Sequence, residues 1–73
     1  MDTINLKGFS VEECVEKIKE LLLANDGSAT VASDDMPTMR EVARIIGRLG
    51  YNCELWPAEG ITLFSFSRIT MPT

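Results

Sequence analysis

Histidine is absent from these 73 residues, and with it the side chain that most often acts as general base for a serine or cysteine nucleophile. The common hydrolytic triads therefore have no centre. Cysteine is scarce: Cys14 and Cys53 are the only two, enough for one bridge at most and, without imidazoles, too few for a zinc site. Long apolar runs are missing as well. The longest is Leu21 to Ala24, against the roughly 18–20 residues that cross a bilayer, and Met1-Asp2-Thr3 places an acid where a signal peptide carries bases. A soluble, cytoplasmic chain with two reduced thiols is the expectation. Positive charge is also in short supply, with seven Lys and Arg against eleven Asp and Glu and a net charge of −4. This balance argues against nucleic acid as a bulk electrostatic partner.

What is present is globular composition: 45% apolar, 25% charged, five glycines and three prolines. A single domain over residues 1–73 buries only about 60–65% of its unfolded surface, so any pocket is shallow or shared with a partner.

Thr3 to Lys7 alternates, with Ile4 and Leu6 on one face, as in a half-buried strand that Gly8 ends. Ser10-Val11-Glu12-Glu13 fits a capping box and predicts a helix over 11–24. Val11, Cys14, Val15, Ile18, Leu21 and Leu22 form its apolar stripe, with Glu12, Glu13, Glu16, Lys17 and Glu20 on the far side. Asn25-Asp26-Gly27 stops it, and Ser28 to Ser33 reads as a short strand. Asp34-Asp35-Met36-Pro37 offers carboxylates to the amides of a second helix, and Thr38 with Glu41 provides a second possible start one turn later. Val42, Ile45, Ile46 and Leu49 are its expected buried stripe, and Gly50 follows its end. Tyr51 to Trp56 and Ile61 to Ile69 read as two strands joined by a turn over Pro57 to Gly60. The expected fold is α+β, a two-layer sandwich in the order β-α-β-α-β-β. A four-stranded mixed sheet carries two helices on one face.

The letters at the joints, Leu6-Lys7-Gly8-Phe9, Asn25-Asp26-Gly27, Ala32-Ser33-Asp34-Asp35-Met36-Pro37-Thr38, Leu49-Gly50-Tyr51 and Ala58-Glu59-Gly60, together resemble the TusA-type, or SirA-like, sulfur-carrier family over almost the full chain. The resemblance implies the same two-layer fold and a cysteine at the start of the first helix, in a Cys-Pro-x-Pro motif. Counted from Gly8, that cysteine falls on Val11 and the two prolines on Glu12 and Cys14. The motif is absent, and a valine carries no persulfide.

Cys14 lies one turn further in, where Glu12 and Glu13 are expected to oppose its thiolate and where a buried structural cysteine is the simpler reading. Cys53 reads as packing beside Tyr51 and Leu55. Asp34 and Asp35 read as helix caps rather than a metal or acid/base pair, and nothing points to a metal or a cofactor. Trp56 falls on the opposite sheet face from Tyr51, Cys53 and Leu55, while Phe64 and Phe66 share one side. Arg40, Arg44 and Arg48 recur every four residues opposite the apolar stripe, three of the seven bases on one helix. They are the candidate edge for a protein partner. Two functions of different class follow. The first is a small non-catalytic TusA-like interaction or regulatory module, with no catalytic residue. The alternative is a sulfur-relay carrier using the shifted cysteine, Cys14.

Overall fold

The computed structural model describes residues 3–69; the acidic opening Met1-Asp2 lies outside them. The chain runs through β1 (Ile4–Asn5), α1 (Val11–Ala24), β2 (Ser28–Ser33), α2 (Met36–Arg48), β3 (Tyr51–Ala58) and β4 (Ile61–Arg68). The strands form one sheet in the order β1-β2-β4-β3, with β1 parallel to β2 and the other neighbours antiparallel. Both helices pack on one face, giving the expected two-layer α+β arrangement.

Local chemistry accounts for the boundaries. Ser10 Oγ accepts the Glu13 amide at 3.2 Å and the Ser10 amide donates to Glu13 Oε1 at 3.0 Å, so both halves of the capping box are made. At the other end of α1 the backbone turns through Asp26 at φ 54° and Gly27 at φ 89°. A side chain at Gly27 would also meet the Arg68 guanidinium, 3.2 Å from where its Cβ would stand. At α2, Asp35 is the cap: its Oδ1 accepts the Thr38 amide at 3.2 Å, and its Oδ2 accepts the Thr38 hydroxyl at 2.7 Å. The later start at Thr38 is not used.

Three expectations shift. The first strand is shorter than Thr3 to Lys7, because the Lys7 amide turns back to Asn5 Oδ1 at 2.8 Å. Leu6 still donates to the Ala32 carbonyl at 2.8 Å and is buried. The hairpin turn is tighter than Pro57 to Gly60: pairing continues to Ala58 and Ile61, leaving only Glu59 and Gly60 to turn the chain. Pro57 is tolerated inside β3 because that strand is an edge and its missing amide breaks no inner ladder.

The third shift concerns the core. Ile18, Leu22, Val31, Met39, Val42, Ile46, Phe64 and Phe66 are buried together with Leu6 and Cys14. Ile4, Val15 and Ile45 are half-buried. Leu49, expected inside, is 53% exposed, because α2 ends at Arg48 and Leu49 is its C-terminal cap, past the last turn that faces the sheet. Met39 fills the stripe at the other end.

Tyr51 and Cys53 pack against the core, but Leu55 on the same face is 51% exposed. Residues 54–60, at the far end of the β3–β4 hairpin, are all exposed. Among the described residues no helix is long and apolar enough to cross a membrane.

Candidate functional site

Val11 is the first residue of α1. It is half-buried and helps to line an open groove of about 640 Å³ with Phe9, Val15 and Ile45, rimmed by glutamates of α1. The groove joins both helices and has an apolar floor. Its signal in the sequence was Phe9, the apolar residue just before the Ser10 cap, a position that commonly packs back onto the first turn of a helix.

Cys14 points away from that groove into the core. It has no exposed surface, and its thiol donates to the Phe9 carbonyl at 4.0 Å. Burial pushes its pKa up, and the charges of Asp35 and Glu13 push it further. Of the two glutamates expected to oppose the thiolate, Glu13 does so and Glu12 is replaced by Asp35, which the start of α2 brings close. Helix α1 therefore offers no activated thiol to solvent. Cys53 is half-buried on an edge strand, with its pKa also raised, first by burial and then by Glu54.

Asp35 spends both carboxylate oxygens on the first turn of α2, and its amide donates to Ser33 Oγ at 3.1 Å. Asp34 is exposed beside it. Asp35 is thus the cap of α2.

Arg40, Arg44 and Arg48 are all exposed and share the outer face of α2. The Arg44 guanidinium grips the Glu41 carboxylate at 2.6 and 2.7 Å, an exposed i,i+3 pair that contributes little to folding. Arg40 and Arg48 make no ion pair among the described residues. Arg48 sits in the last turn, where a cation complements the helix dipole.

The far side of α1, placed there by the sequence, is acidic. Glu12, Glu16 and Glu20 are exposed and stand on the outer face of α1 at the same four-residue step. The two helices thus present opposite charge side by side. Compared with family models, with curated proteins and with solved structures, the chain matches none.

Proposed function

We propose that this chain is a TusA-like module that works by binding and not by carrying sulfur, with Arg40, Arg44 and Arg48 as its docking edge. The observation that carries the reading is the fate of the thiol. The position where the resemblance asks for a cysteine is Val11, and the nearest thiol, Cys14, is fully buried with a raised pKa. A carrier needs the opposite, an accessible thiolate at a helix N-terminus where free amides favour negative charge. The arginines support the binding half of the reading. They are exposed, they lie on one face, and their forked donors suit partner carboxylates. Two free thiols fit a reducing compartment such as the cytoplasm.

The test is exposure of the folded protein to a persulfide donor, followed by intact-mass analysis. The expected result is no stable gain of one sulfur atom, with Cys53 alkylated well before Cys14 under native conditions. A stoichiometric sulfur adduct that disappears in Cys14→Ser would overturn the reading and promote the relay alternative.

A further inference from the structure

We infer that the arginine face docks on a second copy of this chain, helical layer to helical layer, with α2 of each copy lying along α1 of the other. This rests on the docking reading above and names its partner. Charge is the first argument. Helix α1 carries four glutamates and two lysines, α2 three arginines and one glutamate, so the two helices are opposite in net charge. Glu12, Glu16 and Glu20 repeat at the same step as Arg40, Arg44 and Arg48, a rise of about 6 Å per pair.

Direction is the second. β1 is parallel to β2, and β2 and β3 run the same way because each is antiparallel to β4. Each helix therefore returns between strands of one sense, and the two helices run in the same direction. A two-fold axis lying in the interface along the helices sets α1 against α2 of the other copy with their directions matched. Acidic stripe then meets arginine stripe twice, and the assembly closes as a dimer. A two-fold axis across the helices would set glutamate against glutamate.

Exposed leucines flank the charges. Leu23 is 87% exposed and falls seven residues after Glu16, on the same outer face of α1. Leu49, also exposed, directly follows Arg48. These two leucines share a shallow groove of about 220 Å³ with Lys19 and Tyr51 at one end of the helical layer. In the paired arrangement they give that end an apolar seal beside the charges. Helices of 14 and 13 residues present a face only about 20 Å long and two helices wide, toward the small end of specific interfaces. A contact of this size that leans on exposed charges is sensitive to salt.

Sedimentation equilibrium of the full chain tests this. The wild type should show a monomer–dimer equilibrium whose dissociation constant rises about tenfold or more from low to high salt. Arg40→Glu/Arg44→Glu/Arg48→Glu makes both helices acidic, and Glu12→Arg/Glu16→Arg/Glu20→Arg makes both basic. Each variant, once shown to melt natively, should be monomeric alone, and the two mixed should form a heterodimer. If the basic variant fails to fold, the wild-type salt dependence and a Leu23→Ser variant, expected to weaken the dimer, still decide. A wild type that stays monomeric at submillimolar concentration in low salt would overturn the inference and leave the non-carrier reading intact. A salt-insensitive dimer untouched by the arginine variant would overturn it too. Persulfide formation on Cys14 would instead remove the non-carrier reading without touching the sedimentation result.

Discussion

Trp56 of β3 stands directly opposite Leu63 of β4, on the sheet face that the helices leave bare. Leu63 pairs in turn with Ala32, and Ala32 with Asn5, so one row crosses all four strands. Its outer end is wet, because Trp56 is 55% exposed on the edge strand. As the single tryptophan, its fluorescence should be that of a solvated indole and should be quenched by acrylamide in the folded state. Trp56→Ala should cost no more than about 1 kcal/mol in a thermal melt, the range of one cross-strand pair. Pairing through the helices leaves this emission unchanged with concentration. A blue shift on dimerisation would move the interface to the sheet.

The core makes a sharper contrast. Ile18 and Ile46 are fully buried, one on each helix, whereas Leu49 caps α2 in partial solvent. Ile18→Ala and Ile46→Ala should each cost about 2–4 kcal/mol by urea denaturation, the range for deleting a buried branched side chain. Leu49→Ala should cost well under half as much, about 1 kcal/mol or less, since little area returns to water. Equal losses at Ile46 and Leu49 would mean that α2 is rolled toward Leu49, as its sequence spacing alone suggests.

That contrast marks what the sequence makes legible. Helix α1 was readable at both ends because its start is local chemistry, Ser10 against Glu13, and its stop is Asn25-Asp26-Gly27. The roll of α2 was not. Val42, Ile45, Ile46 and Leu49 make an acceptable stripe, and so do Met39, Val42 and Ile46; the choice depends on where the sheet lies beneath the helix, which is a long-range fact. Strand order is long-range for the same reason, since β4 inserts between β2 and β3. At the candidate site the arginine face was legible from its four-residue step. The glutamates of α1 were equally legible on its far side, but their place beside the arginine face was not, because it depends on how the sheet sets the two helices next to each other.

Asp34 and Asp35 are adjacent in sequence and unequal in structure. Asp35 accepts both the amide and the hydroxyl of Thr38, while Asp34 is exposed. Asp35→Ala should destabilise by about 1 kcal/mol, within the usual 0.5–2 for losing an N-cap. Asp34→Ala should stay within about 0.5 kcal/mol, as surface changes do. Paired denaturation curves check this, and equal effects would mean that the first turn of α2 is capped by neither carboxylate in particular.

The last prediction concerns acid. Hydrogen bonds from the Ser10 amide and hydroxyl hold the Glu13 carboxyl below its ordinary pKa. The folded value is thus lower than the unfolded one, so the unfolded chain binds the proton more readily. Linkage then gives the sign: the stabilisation is present above the unfolded carboxylate range and is lost as pH falls through the folded value. Glu13→Gln keeps an oxygen for the Ser10 amide but removes the titration. The stability gap between wild type and Glu13→Gln, measured by denaturation from neutral to acid pH, should therefore narrow as the acid range is crossed. Carboxyl chemical shifts give the second readout, in which Ser10→Ala should raise the Glu13 midpoint because the hydroxyl is gone and the first turn frays. Parallel pH curves for wild type and Glu13→Gln, or a midpoint unmoved by Ser10→Ala, would show that the capping box carries no charge-assisted component and that α1 is started by the Ser10 cap alone.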